Sequence, residues 1–124
     1  MKATTITKEN IATFVVRFYE NTIKDEEIGH FFTELLGEDI NNEKWQEHIE
    51  TLTEFWTTMV LKIPEYYGSP FPPHIDMKLT RRSFERWLEV LDNTLDELYT
   101  KEAPSEIRKV GEIICNNFME RLGL

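Results

Sequence analysis

The chain offers few groups able to do chemistry. Three histidines, His30, His48 and His74, carry all of its imidazole, and Cys115 carries its only thiol. A lone cysteine makes neither an internal disulfide nor a CxxC metal site. His48 lies between Trp45 and Leu52 on the apolar side of a helical pattern, and His74 follows two prolines in FPPHID. Tyr19 and Trp87 each add one polar hydrogen to an apolar stripe. Singly, Tyr19, His48 and Trp87 fit core groups whose polar atom found a partner, and His74 fits a solvated loop. Cys115, in an apolar stripe of its own, reads as a core thiol. There is no HExxH, no ExxH pair of the di-iron type, no GxGxxG, P-loop or GxSxG; the residue three before His48 is Trp45, not Glu. What remains open is ligation by imidazole, with hydroxyl and indole donors beside it.

These groups need elements to hold them, and the sequence supplies helices. A stripe of Ile11, Phe14, Val15 and Phe18, with Tyr19 beside it, has helical spacing and predicts a helix from about Lys8 to Thr22, with Thr7 as N-cap. A short irregular stretch follows, ending in His30, Phe31, Phe32, Leu35 and Leu36, with Gly37 as the stop. A long helix is predicted from about Asn42 to Leu61, with Trp45, His48, Ile49, Leu52, Phe55, Trp56, Met59 and Val60 on one face. Residues 62–79 hold four of the five prolines and Gly68, so no continuous helix crosses them. A third long helix runs from about Thr80 to Tyr99 on Phe84, Trp87, Leu88, Leu91, Leu95 and Leu98. A fourth follows Pro104 and Ser105, on Ile107, Val110, Ile113, Ile114, Cys115, Phe118 and Leu122. No segment alternates like a strand, so the fold class is all-α.

Length and charge set the outer limits. The chain has 124 residues, which suits one domain over 1–124. Fourteen basic against 23 acidic residues give a net charge of −9, which disfavours nucleic-acid and membrane-surface roles. No apolar run reaches the ~20 residues of a membrane span, and the first ten residues lack a signal-peptide core. A cytoplasmic monomer is the expectation.

Together, Tyr19, His48 and Trp87 lie on three helical faces, and His74 sits in a separate loop. A dry pocket with a few aimed donors and a neutral imidazole opposite them is what ferrous haem requires. The imidazole donates to iron, and the donors meet the partial negative charge on bound dioxygen, each at roughly 1–3 kcal/mol. Lys78, Arg81, Arg82 and Arg86 cluster just after His74 in an acidic chain. A helix N-terminus does not favour cations, so charge alone suggests Arg81 and Arg82 as partners for haem propionates. The competing reading is a solvated basic helix start.

The motifs FYE at 18–20, GHFF at 29–32, WQEH at 45–48, FWTTMV at 55–60, YYGSPFPPH at 66–74 and FERWLEVL at 84–91 stand in one order. In that order and spacing the sequence resembles the truncated haemoglobins, and among them group III, over about Ile6 to Leu122. The glycines are isolated rather than paired, which separates it from the other branches. The resemblance implies a two-over-two helical sandwich around a b-type haem. It assigns the proximal ligand to His74, the distal tyrosine to Tyr19, the distal histidine to His48 and a distal tryptophan to Trp87. The phenylalanine that wedges the haem falls on Phe31 or Phe32, with Phe32 favoured. Leu52, Phe55, Phe84 and Phe118 are expected walls by stripe position, and the other nitrogen of His74 is expected to meet a backbone carbonyl rather than Asp76. The function implied is binding of O2, with NO and CO, at ferrous iron. Two alternatives stand beside it: NO dioxygenation or peroxidase-like chemistry with an external electron donor, and a haem-free helical sensor or interaction domain.

Overall fold

A computed structural model describes residues 1–124 as an all-helical chain. Its helices are α1 (Lys8–Ile23), α2 (Gly29–Leu36), α3 (Glu43–Leu61), α4 (Arg81–Leu98) and α5 (Ser105–Leu122). A three-residue 3-10 turn, Pro72–His74, interrupts the long connection between α3 and α4. No helix is long and apolar enough to cross a membrane.

Local chemistry sets the helix starts. Thr7 caps α1 by a reciprocal pair: its hydroxyl accepts the Asn10 amide, and the Asn10 side chain accepts the Thr7 amide. Thr80 and Ser83 repeat that device at α4. Asn42 caps α3 by accepting the Trp45 amide at 2.8 Å, while its own amide group donates to the Leu36 carbonyl. The corner between α2 and α3 turns at Gly37, whose φ of +92° lies in the region open to glycine. The Trp45 indole N–H donates to the Gly37 carbonyl, which locks this corner to α3.

The four long helices form two pairs. α1 packs on α3, α4 packs on α5, and the pairs stack with α1 against α4 and α3 against α5. This is the two-over-two arrangement. The stripe Ile11, Phe14, Val15 and Phe18 is fully buried in the seam. Phe14 stacks on Phe18 and meets Trp56 edge-on, joining α1 to α3. Close approach of α4 to α5 rests on Gly111, where a Cβ would come within 2.6 Å of Leu91. The first residues close the far end: Ala3 exchanges main-chain hydrogen bonds with Leu98 and Thr100 around Tyr99, whose hydroxyl donates to the Asn10 side chain.

One element differs from expectation. The stretch expected to be irregular before Gly37 folds as α2. No side chain of its N-cap, Ile28, closes its first turn. Asp25 closes the turn that leads into it, its carboxylate accepting the amides of Glu27 and Ile28.

Candidate haem-type cavity

The two helix pairs and the α3–α4 connection enclose a cavity of about 350 Å³. That lies within the range of small-molecule sites. Sixteen of its twenty-one lining residues are hydrophobic, so a ligand inside is largely shielded from water. Each expected wall is there: Phe31 and Phe32 from α2, Leu52 and Phe55 from α3, Phe84 from α4 and Phe118 from α5. So are the four polar groups, Tyr19, His48, His74 and Trp87. His30 does not line it; its ring packs on Phe31 at the exposed side of α2.

His74 stands at the end of the 3-10 turn. Pro72 and Pro73 suit the first positions of that turn, since neither has an amide hydrogen to leave unpaired. The His74 amide donates to the Phe71 carbonyl at 2.8 Å, and its Nδ1 lies 2.7 Å from the Pro70 carbonyl. A carbonyl only accepts, so Nδ1 carries the proton and Nε2 is the lone-pair nitrogen left for the cavity. Asp76 plays no part. The ring packs against Phe118, with centroids 4.8 Å apart, and Phe118 meets Phe71 edge-on. Burial lowers the proton affinity of His74; the carbonyl contacts oppose this only in part. The ring is therefore held neutral, which is the ligating form.

Tyr19, His48 and Trp87 reach the cavity from α1, α3 and α4. The Tyr19 ring meets Phe32 at 5.5 Å, Trp45 at 5.7 Å and His48 at 5.9 Å, so rings from α2 and α3 fix its position. Burial drives the Tyr19 hydroxyl far above its ordinary proton affinity, and the Trp87 side chain beside it opposes that rise. The phenol is therefore a neutral O–H donor. The Trp87 nitrogen is near the phenol oxygen without closing a full hydrogen bond to it, and its ring meets Phe18 at 5.2 Å. Burial, and then the charge of His74 across the cavity, lower the proton affinity of His48. Neither Tyr19 nor His48 gives its polar hydrogen to a protein acceptor, and the Trp87 nitrogen is turned toward the phenol oxygen. An apolar cavity that brings hydroxyl, imidazole and indole donors together with one oriented imidazole fits a haem and its ligand on the chemistry of the donor set alone.

The cationic cluster goes elsewhere. Neither Arg81 nor Arg82 lines the cavity. Arg81 donates to the Leu124 carbonyl at the chain end. Arg82 binds Glu27 and Glu89, with Glu85 nearby. Arg86 binds Asp25 and Glu89. Arg81, Arg82 and Arg86 thus have partners within the chain.

Several lining residues carried no signal that sequence reasoning used. Ile28 and Leu35 flank the α2 phenylalanines, Met77 and Leu79 follow His74, and Cys115 lines the α5 wall. Cys115 is buried as expected, and burial pushes its thiol up to about 12, so it is inert as a nucleophile. Its place three residues before Phe118 was the available clue to its second role as wall.

No family model matches the sequence. Among curated proteins, the chain is 32% identical over 123 residues to the group 3 truncated hemoglobin ctb of Campylobacter jejuni, covering 98% of this chain and 95% of that one. Among solved structures, the crystal structure of a group III truncated hemoglobin from Campylobacter jejuni superposes with a TM-score of 0.88. It has 32% identity and covers 98% of this chain and 95% of that one.

Proposed function

The chain belongs to the group III truncated haemoglobins, globin-type haem proteins that bind diatomic gases, and from that premise we propose that it binds O2, with NO and CO, at ferrous haem b held by His74. Haem, when bound, would supply a ferrous iron able to take an imidazole and bind a diatomic gas, and His74 would hold it.

The chain's own residues do the rest. His74 offers Nε2 because the Pro70 carbonyl holds the proton on Nδ1. Phe118 fixes the plane of that ring from one side. Phe31, Phe32, Leu52, Phe55 and Phe84 line the cavity and would keep water from a haem bound there. Tyr19 O–H and Trp87 N–H donate to the outer atom of a polar diatomic ligand, where partial negative charge gathers. His48, neutral and without a protein partner, adds a third donor from α3. Arg81, whose only protein acceptor is a chain-end carbonyl, is the member of the cationic cluster left to meet a propionate; Arg82 does so only by giving up its own carboxylates.

The observation that carries this reading is the gathering of one oriented imidazole and three polar side chains, Tyr19, His48 and Trp87, in the lining of a single apolar cavity. The test is reconstitution with haem, followed by absorption spectra of the ferrous protein with and without O2 and CO. A stoichiometric complex with a ligand-sensitive Soret band is expected. Failure to take up haem would return the chain to the haem-free alternative.

Three donors rather than one favour a second reading as well: NO dioxygenation or peroxidase-like turnover with an external reductant. Several donors around the outer oxygen polarise an O–O bond more than a single one. Feeding NO to the oxygenated protein with O2 and an electron donor present separates the two: nitrate in many-fold excess over haem, with the ferric product re-reduced by the donor after each equivalent, belongs to turnover alone.

A further inference from the structure

We infer that Asp25 and Arg86 are positioning residues for the distal donors, their ion pair setting the spacing of Tyr19 and Phe32 against Trp87; this rests on the distal roles proposed above.

Asp25 sits at the corner between α1 and α2, and Arg86 in the second turn of α4. Arg86 places both Nη2 and Nε on one Asp25 oxygen, at 2.6 and 2.9 Å. The other carboxylate oxygen accepts the amides of Glu27 and Ile28, at 3.1 and 3.2 Å. The Asp25 carbonyl accepts the Gly29 amide at 3.0 Å. The Asp25 side chain is only 7% exposed, so this pair is shielded where Arg82 and its carboxylates are half in solvent. One carboxylate therefore closes the turn that leads into α2 and fastens that turn to α4.

The consequence follows from what the two elements carry. α2 has eight residues and no side-chain N-terminal cap, too short to hold its own position. Its Phe32 is one of the rings fixing Tyr19. The residue after Arg86 is Trp87. The tie thus spans the two walls that hold the two donors, and hydrogen bonding to a small ligand weakens steeply with distance and angle. A purely structural ion pair would affect stability and treat all gases alike. A positioning pair affects the ligand that accepts hydrogen bonds.

The experiment measures O2 and CO dissociation from the ferrous holoprotein by stopped flow, well below the unfolding midpoint. The variants are Arg86→Gln, Arg86→Lys, Trp87→Phe and the double variant Arg86→Gln/Trp87→Phe. Arg86→Gln is expected to speed O2 release by about five-fold or more and CO release by less than about two-fold. Arg86→Lys restores most of the O2 effect. In the Trp87→Phe background, Arg86→Gln adds little, because the donor it positions is gone. If Arg86→Gln does not hold haem, Asp25→Asn, which keeps an acceptor for the two amides, takes its place with the same expectations. An O2 rate within about two-fold of wild type, equal changes for both gases, or full additivity with Trp87→Phe overturns the inference. A null for Arg86→Gln beside a positive Trp87→Phe ends this inference alone; nulls for both end the distal assignment with it.

Discussion

His74 Nδ1 lies 2.7 Å from the carbonyl oxygen of Pro70, four residues earlier in the same turn. The acceptor is main chain, so no side-chain substitution deletes it and no pH change within the stable range titrates it. A carboxylate in its place would add a charge that strengthens the imidazole as a ligand; a carbonyl orients the ring with less push. The orientation of the His74 ring, and with it of Nε2, is thus built into the Pro70–His74 turn.

Removal of that nitrogen is the most direct check. His74→Ala is expected to abolish stable one-to-one haem binding or to leave a loosely held, exchangeable haem. Titration of the variant with haem, read at the Soret band, decides it. A wild-type ferrous spectrum would move the proximal role to another residue.

Tyr19→Phe and Trp87→Phe should each raise the O2 dissociation rate. Losing ~1–3 kcal/mol of hydrogen bonding corresponds to roughly five- to a hundred-fold. CO, a poorer acceptor, should change much less. The two effects should not add, since both donors serve one small acceptor. Equal acceleration of both gases would indicate altered access instead.

The Asp25 carboxylate gives a pH-dependent test. Burial by itself pushes its pKa up. Hydrogen bonds from Arg86 and from the Ile28 and Glu27 amides, with the Arg86 charge, outweigh burial and hold it below the ordinary value. A depressed acid stabilises the fold above its unfolded pKa of ~3.9, and that contribution fades as pH falls through the folded value. Urea unfolding should therefore show Asp25→Asn weaker than wild type by about 1–3 kcal/mol at pH 7. The gap should hold to about pH 5 and shrink below about pH 4. A gap that does not change with pH would mean the carboxylate acts by shape alone.

Gly29 opens α2 where the end of α1 passes closest. A Cβ there would lie 2.7 Å from the Ile23 carbonyl oxygen and 3.1 Å from that of Thr22, both main chain and unable to turn aside. Gly29→Ala should cost about 1–3 kcal/mol in denaturant unfolding, despite the better helix propensity of alanine. An unchanged midpoint would show that α2 can shift without penalty.

Arg81→Gln should speed haem transfer to an acceptor globin by less than about five-fold, and only at low salt, because exposed charge pairs are weak and screened. Arg82→Gln should act mainly on stability, through Glu27 and Glu89. If haem loss is unchanged at low salt in Arg81→Gln, no propionate role remains for it.

The long helices and their inward faces were legible because each repeats its apolar residues over several turns. Phe14 and Phe18 bury as their spacing requires, and Thr7 caps where its position and type predict. The convergence of Tyr19, His48 and Trp87 followed from those faces. α2 was not legible as a helix: eight residues give two turns of pattern, and the turn that leads into it is closed by Asp25, outside the usual cap position. What fastens Asp25 is Arg86, 61 residues away, a pairing no local pattern encodes. The same limit applied to Arg82. Its charge stood out in the sequence, but whether a propionate or Glu27 answers it is a tertiary fact.

The cavity has one stiff side and one soft side. Tyr19, His48 and Trp87 ride on helices of 16, 19 and 18 residues, each packed along its length. His74 rides on residues 62–80, where the only regular element is a three-residue turn. Local opening is cheapest where backbone hydrogen bonds and buried contacts are fewest. Residues 62–80 are therefore the side expected to open without unseating the bundle. Amides in α1 and α4 should stay protected from solvent exchange while those of residues 62–80 turn over. A haem reaching the cavity from that side would enter a frame that the four long helices have already made.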